Sequence, residues 1–190
     1  MTLQSQKGPV IAVVGPSGVG KDSLMEALVR ADKNLHLMRR VITRAPEAGG
    51  EDYDAVCEAE FADMAVSGHF ALYWAAHGLH YGIPRQIEDL RQNGRGVLVN
   101  LSRAVLLQAQ ESFDDFVVLS VTARPEVLAD RLTKRGREDS AEVQRRLARA
   151  SQPLPAGLRR LYQIDNSAAL ADAVISARAV IYAAPSPVRA

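Results

Sequence analysis

Short apolar segments alternate along the chain with amphipathic segments. Runs rich in valine, isoleucine and leucine are typical of buried strands, whereas apolar residues three and four positions apart are typical of helices. The predicted strands are residues 10–14, 35–41, a pair within 69–81, 97–101, 116–121 and 161–164. The predicted helices are residues 23–30, 58–67, 85–91, 103–110, 125 to about 135, and 168–183. This alternation predicts an α/β fold with a mainly parallel sheet.

The domain organisation follows from the chain length and the turn-forming residues. The chain has 190 residues, a usual length for one domain, and it contains no internal repeat. We therefore predict a single domain over residues 1–184 and a loose tail at 185–190. Pro46, Gly49 and Gly50 predict that residues 43–52 form a loop.

Composition and charge argue against several classes of protein. The 23 basic and 22 acidic residues give a formal net charge of +1, so bulk positive charge does not hold the chain to nucleic acid or membrane. No apolar run approaches the ~18 residues that span a bilayer, and the polar N-terminus lacks the features of a secretory signal. Cys57 is the one cysteine, which argues against disulfide and cysteine-rich zinc sites. The expected location is the cytoplasm.

Arginine dominates the basic residues, because the lysines are only Lys7, Lys21, Lys33 and Lys134. The guanidinium group offers a planar pair of donors to phosphate and carboxylate, so this excess favours oxyanion ligands. A GC-rich genome would produce the same excess, and composition leaves both explanations open.

The most specific motif is a glycine-rich loop at residues 15–22. It follows the pattern Gly-x4-Gly-Lys, and its residues are Gly15, Pro16, Ser17, Gly18, Val19, Gly20, Lys21 and Asp22. A predicted strand precedes the loop and a predicted helix follows it, as a phosphate-binding loop requires. Glycines let backbone N–H groups turn toward phosphate oxygens, while Lys21 and the positive end of the helix add attraction.

Asp22 stands where such a loop normally has serine or threonine as a magnesium ligand. A carboxylate is also a hard oxygen ligand, so we predict that Asp22 holds Mg²⁺ directly or through water. Ser23 offers a hydroxyl group one position further round the helix.

Further motifs extend over roughly residues 9–183. In order they are Thr43-Arg44-Ala45-Pro46, Tyr53, Glu60-Phe61, Tyr81-Gly82, the run 131–136, Arg146-Leu147 and Asp165-Asn166. Together with the glycine-rich loop, they resemble the guanylate-kinase-like group of P-loop phosphotransferases. The resemblance implies a three-layer P-loop NTPase fold, an acceptor-binding insertion at about 35–84 and an arginine-rich lid at about 135–150.

The resemblance also implies roles for individual side chains. ATP is expected to bind the glycine-rich loop together with Ser23 and Arg131. The expected catalytic residues are Lys21, Arg135 and Arg146, which would stabilise the transferring phosphoryl group. The expected acceptor and lid contacts are Arg40, Arg44, Tyr53, His77, Tyr81, Arg103 and Arg137.

Five positions depart from the guanylate kinase pattern. Glu47 replaces a second phosphate-binding arginine, Leu72 replaces the acid that reads guanine, and Ile83 replaces a hydroxyl residue. The acids after the central strand become Asn100 and Ser102. An apolar pocket would leave the N–H groups of guanine unpaired, at a cost of about 1–3 kcal/mol each. We therefore predict a phosphorylated acceptor other than GMP.

One subfamily, the ribose 1,5-bisphosphate phosphokinases, resembles the chain closely. The shared segments are residues 20–23, 49–51, 77–82, 97–103 and 135–138, although Leu101 replaces a common glycine. This resemblance implies transfer of a phosphoryl group from ATP, with Mg²⁺, to ribose 1,5-bisphosphate. The products would be ADP and 5-phospho-α-D-ribose 1-diphosphate, in the breakdown of phosphonates.

Other functions stay open at this point. A kinase of GMP or another nucleoside monophosphate is the first alternative, although the apolar Leu72 and Ile83 argue against guanine. A non-catalytic interaction module of the same fold would lack the phosphate loop, which this chain retains. A weak ATPase and a gluconate-type kinase are further alternatives, and a homodimer is left open.

Overall fold

A five-stranded parallel sheet forms the centre of the protein. The computed structural model describes residues 7–45, 51–134 and 153–183. The strands of this sheet are β1 (Val10–Val14), β2 (Leu35–Leu37), β7 (Gly96–Asn100), β8 (Phe116–Thr122) and β9 (Leu161–Asp165). Their order is β2-β7-β1-β8-β9, and all neighbours run parallel. The carboxyl ends of these strands therefore meet along one edge, where sites of α/β proteins form.

A second sheet lies in the chain between β2 and β7. Its strands are β3 (Arg40–Ile42), β4 (Tyr53–Ala55), β5 (Phe70–Ala76) and β6 (Leu79–Pro84), in the order β4-β3-β6-β5. β5 and β6 form an antiparallel hairpin. His77 and Gly78 make its two-residue turn, with φ angles of 54° and 72°, as tight hairpin turns often require. The turn therefore fixes the backbone of His77 at the end of this sheet.

Helices cover both faces of the parallel sheet. They are α1 (Lys21–Ala31), α3 (Gln86–Gln92), α4 (Leu106–Ser112), α5 (Pro125–Lys134) and α6 (Leu170–Ile181). A further helix, α2 (Glu58–Val66), packs on the second sheet through Phe61. Val10, Ala12 and Val14 of β1 pack in one apolar cluster with α3 and α4. Ile11 and Val13 pack in the other with α1, α5 and α6. β1 is apolar at every position because both of its faces are buried.

The structure confirms the predicted α/β fold with its parallel sheet and corrects some elements. The single strand predicted at 35–41 is wrong, because Met38 and Arg39 separate β2 from β3 and these strands belong to different sheets. β4 falls next to the predicted loop and was missed, since three residues are too few to show a pattern. The predicted helix at 103–110 begins as a 3-10 turn, Arg103–Val105.

Some predictions concern residues that are not described. The lid at about 135–150 and the tail at 185–190 lie outside the described residues. Among the helices that are described, none combines the length and apolar character needed to cross a membrane.

A hydrogen bond ties the C-terminal end of α6 to the end of α1. The hydroxyl of Tyr182 donates to Oδ2 of Asp32 at 2.7 Å. This bond is the main cause that lowers the pKa of Asp32 below its usual value. Burial first, and then the same bond, raise the pKa of Tyr182 to about 12. Because α1 begins at the glycine-rich loop, the bond fixes that helix at its far end.

Tyr182→Phe is expected to raise the pKa of Asp32, because it removes the hydroxyl that stabilises the carboxylate. The folded-state pKa of Asp32 lies below the unfolded value. Its contribution to stability is therefore present above the unfolded pKa and is lost as the pH falls through the folded pKa. The variant should lose stability at neutral pH and approach wild type in strong acid. NMR titration measures the pKa of Asp32. Urea unfolding at neutral pH and in strong acid measures the free energy of unfolding.

The matched control is Tyr73→Phe, since Tyr73 and Tyr182 are 53% and 54% exposed. The control should leave the pKa of Asp32 unchanged. If the pKa of Asp32 were unchanged in Tyr182→Phe as well, the hydrogen bond from Tyr182 would not be the main cause of the lowered pKa.

Candidate active site

The glycine-rich loop curls between β1 and α1. Gly18 and Gly20 have φ angles of 83° and 90°, a region that favours glycine. α1 begins directly after Gly20, so the N–H groups of its first turn point back toward the loop. This end of a helix carries partial positive charge and attracts phosphate. The predicted phosphate loop therefore has the required backbone shape.

Lys21 lies within the curve of this loop. Its Nζ atom donates to the carbonyl oxygen of Gly15 at 3.0 Å and to that of Pro16 at 3.3 Å. The side chain is thereby folded back over the loop rather than extended into solvent. The ammonium charge is therefore held beside the backbone of the loop, and its catalytic role stays a prediction.

Residues distant in the sequence hold the loop from outside. Asn166, directly after β9, donates from Nδ2 to the carbonyl oxygen of Val19 at 2.8 Å. Arg131 of α5 donates to the same oxygen at 3.2 Å and to the carbonyl oxygen of Asn166 at 2.9 Å. Arg131, predicted to bind ATP, therefore also shapes the loop. Asn166 was part of a family motif in the sequence, but nothing local linked it to a residue 147 positions away.

A cleft of about 460 Å³ lies between the loop and the second sheet. The predicted site residues that line it are Gly15, Ser17, Lys21, Arg40, Arg44, His77, Tyr81 and Arg103. The fold thus brings the predicted nucleotide side and the predicted acceptor side to one space. Among the described residues, three arginines line the cleft and come from different parts of the chain: Arg40 from β3, Arg44 from the following loop, and Arg103 from the segment after β7.

Other predicted site residues do not line this cleft. Ser23 is exposed on the first turn of α1, and the side chain of Val19 is buried in the core. The hydroxyl of Tyr53 donates to the carbonyl oxygen of Ala45 at 2.6 Å, and the guanidinium of Arg44 lies 5.5 Å from the centre of the Tyr53 ring. The ring of Tyr53 therefore contacts the guanidinium of Arg44. The residues predicted for the lid, Arg135, Arg137 and Arg146, lie outside the described part of the chain.

An ion pair at this cleft was not predicted from the sequence. Arg40 binds Glu51 through two hydrogen bonds, Nε to Oε2 at 3.0 Å and Nη2 to Oε1. Asn100 donates from Nδ2 to Oε2 of Glu51 at 3.2 Å. The guanidinium of Arg40 also lies 5.0 Å from the ring centre of Tyr81 and 5.9 Å from that of Trp74. The sequence predicted Arg40 as an acceptor contact, and the structure pairs it with the carboxylate of Glu51, whose side chain is 15% exposed.

The positions where guanylate kinases read guanine lie in the core. Leu72 is 2% exposed and Ile83 is fully buried, and both belong to the apolar cluster beneath the second sheet. They contribute no hydrogen-bonding side chain to the cleft. Arg40 and Trp74 face the cleft in this region instead. This geometry agrees with the prediction that the acceptor is not GMP.

Comparison with known proteins gives the family. The guanylate kinase family model matches residues 7–159. The chain belongs to the guanylate kinase family. A protein of Ruegeria sp. (strain TM1040), named ribose 1,5-bisphosphate phosphokinase PhnN, is 70% identical over 177 residues, 93% of each chain. A protein of the same name from Pantoea vagans (strain C9-1) is 46% identical over 174 residues, 90% of this chain and 96% of that one. These relatives confirm the resemblance to the subfamily.

Solved structures share the fold of this kinase. Guanylate kinase from Anaplasma phagocytophilum superposes with a TM-score of 0.66 at 19% identity, covering 98% of this chain and 91% of that one. A gluconokinase from Sinorhizobium meliloti 1021 gives a TM-score of 0.51 at 20% identity, with 93% and 92% covered. At these identities the likeness shows the fold alone, and it confirms the predicted P-loop α/β class.

A kinase of this kind uses ATP together with a divalent metal ion. Within residues 7–45, 51–134 and 153–183, no group of three or more His, Cys, Asp or Glu side chains is placed to hold a metal. Asp22, in the first turn of α1, has a buried Oδ1 atom and supplies one hard oxygen beside the loop. This fits an ion whose other ligands are phosphate oxygens and water.

Gly20→Ala is expected to weaken binding of Mg-ATP at least about tenfold, because the loop must shift to accept the added atom. A Cβ at Gly20 would lie 2.7 Å from Nδ2 of Asn166, the atom that holds the carbonyl of Val19. Isothermal titration calorimetry with a non-hydrolysable ATP analogue measures the affinity.

Gly68→Ala is the matched control. Gly68 also has a positive φ of 72°, but a Cβ there meets no atom within 4 Å. Both variants carry the backbone strain of about 1–2 kcal/mol, and only Gly20→Ala carries the clash. Equal ATP affinities in the two variants would show that the contact with Asn166 is unimportant for the nucleotide.

Proposed function

We propose that this kinase transfers the γ-phosphoryl group of ATP to the 1-phosphate of ribose 1,5-bisphosphate. The products are ADP and 5-phospho-α-D-ribose 1-diphosphate. The observation that carries the proposal is the cleft that joins a phosphate loop to Arg44 and Arg103 while Leu72 and Ile83 are buried. Such a site favours a small acceptor with phosphate groups over a nucleobase. The named relatives, 70% and 46% identical, support the same substrate.

The attacking atom is an oxygen of the 1-phosphate, which is already ionised at neutral pH. A bond forms from this oxygen to the γ-phosphorus, and the bond from the γ-phosphorus to the oxygen shared with the β-phosphate breaks. ADP leaves with that electron pair. The reaction therefore needs alignment and charge stabilisation more than a general base.

The charges of the cleft serve this transfer. Lys21 and the first turn of α1 bind the β- and γ-phosphates from one side. Arg44 and Arg103 bind the phosphates of the acceptor from the other side, with Tyr81 and His77 beside them. Arg131 keeps the loop in shape, and Arg135, Arg137 and Arg146 remain predicted contacts of the transferring group.

Asp22 is the proposed protein ligand of Mg²⁺, directly or through water. A bound ion would neutralise charge on the phosphates of ATP. Without it, the carboxylate of Asp22 would repel the nucleotide phosphates as a like charge.

Lys21→Met is expected to lower kcat at least about 100-fold, because the charge on the γ-phosphate is no longer stabilised. Lys33→Met, at an exposed lysine beyond the end of α1, is the control and should retain wild-type turnover. ADP release is measured with Mg-ATP and either ribose 1,5-bisphosphate or GMP, and phosphorus NMR identifies the product. Fast turnover of GMP without turnover of the sugar would overturn the proposed function.

Asp22→Asn is expected to raise the Mg²⁺ concentration that gives half-maximal turnover, because a neutral amide is a weaker ligand for a hard cation. Glu26→Gln changes an exposed carboxylate one turn further along α1 and should leave this concentration unchanged. Turnover is measured over a series of Mg²⁺ concentrations at fixed ATP. An unchanged midpoint in Asp22→Asn would exclude Asp22 as the ligand.

A further inference from the structure

Glu51 is an unexpected residue at a site for phosphates. Its side chain is 15% exposed, and its partner Arg40 is 9% exposed. A carboxylate beside an acceptor with two phosphates repels them and cancels one of the cations at the cleft. A role in binding phosphate therefore does not explain its position, and a neutral part of the acceptor is the better match.

The hydrogen bonds of Glu51 leave it capacity to accept another. An ionised carboxylate has about four acceptor positions. Oε2 of Glu51 accepts one hydrogen bond from Arg40 and one from Asn100, and Oε1 accepts one from Arg40. Three of the four positions are therefore used. A hydroxyl group can donate to the remaining acceptor position of the carboxylate. Because it is neutral, it adds no further positive charge beside the guanidinium of Arg40. Asn100 also has a carbonyl oxygen of its own, and the guanidinium of Arg40 has further N–H donors. The three side chains thus offer both acceptors and donors, as a pair of sugar hydroxyls does.

The surroundings of this cluster match the groups of a sugar bisphosphate. Arg40 is followed four residues later by Arg44, and Asn100 is followed three residues later by Arg103. Arg40, Asn100 and both of these arginines line the same cleft. Arg40 and Asn100, which both hold Glu51, therefore share one cleft with two further arginines. A pentose with a phosphate at each end combines the same kinds of group, because it has two charged ends and neutral hydroxyls.

We propose that Glu51, held in place by Arg40 and Asn100, accepts a hydrogen bond from a ribose hydroxyl of the acceptor and selects sugars that carry it. This inference rests on the proposed function, since it assigns a subsite for the same substrate. Glu51 is then a specificity-determining residue, and Arg40 and Asn100 are positioning residues.

The test compares three acceptors on the wild-type enzyme: ribose 1,5-bisphosphate and its 2-deoxy and 3-deoxy analogues. A lost hydrogen bond to a charged group corresponds to a fall of about 10- to 100-fold in kcat/KM, and this fall is expected for at least one analogue. Equal kcat/KM for all three sugars would overturn the inference. This arm needs no variant, so it can overturn the inference even if substitutions at Glu51 prevent folding.

Glu51→Gln is the second arm, because the amide keeps the shape and an oxygen for Arg40 but loses the charge. The variant is expected to turn over ribose 1,5-bisphosphate more slowly and to discriminate against the deoxy analogue by no more than about threefold, with an unchanged KM for ATP. A purely structural role would lower the rates with all sugars equally and keep the wild-type ratio, and that result would overturn the inference.

Asp52→Asn is the matched control. Asp52 is the next residue, its side chain is 80% exposed, and it pairs with Arg39. This variant should retain the wild-type ratio between sugars. Failure to turn over ribose 1,5-bisphosphate at all would overturn the proposed function and this inference together. Turnover without discrimination between sugars would overturn the inference alone.

Discussion

The carbonyl oxygen of Val19 is the point on which the active site depends. It accepts hydrogen bonds from Asn166 and Arg131, so the last strand of the sheet and helix α5 both hold the middle of the glycine-rich loop. A loop rich in glycine has many conformations, and ordering it costs conformational entropy. In this protein the hydrogen bonds from Asn166 and Arg131 order the loop when the chain folds. The backbone N–H groups are therefore fixed before a nucleotide arrives, which is the preorganisation that charge stabilisation requires.

The distribution of charge in the cleft follows from the same scaffold. Lys21 lies on the side of the parallel sheet, and Arg44 lies on the side of the second sheet. In the same cleft, the charge of Arg40 is cancelled by Glu51, and the guanidinium of Arg40 lies over the rings of Trp74 and Tyr81. The cleft is thus not uniformly positive. Besides Lys21 and Arg44, it is lined by Arg40, whose charge is paired with that of Glu51.

The parts of the fold that could be predicted from the sequence are those with a local pattern. β1, the glycine-rich loop and α1 are contiguous, and each carries its own signal in the order of apolar residues and glycines. The residues Gly15 and Lys21 could therefore be placed correctly beside each other. The division of residues 35–41 between two sheets had no such signal, because apolar and polar residues continue across Met38 and Arg39 without a turn-forming residue.

The contacts that could not be predicted are those made between distant segments. The bond from Asn166 to Val19 joins residues 147 positions apart, and the pair of Arg40 with Glu51 joins β3 to a residue 11 positions further along the chain. The consequence of the first contact concerns synthesis of the chain. Val19 of the glycine-rich loop is synthesised 147 residues before Asn166, the residue that binds its carbonyl oxygen. A nascent chain that stops before Asn166 lacks this hydrogen bond, so the loop is held by both of its partners only after Asn166 has been synthesised.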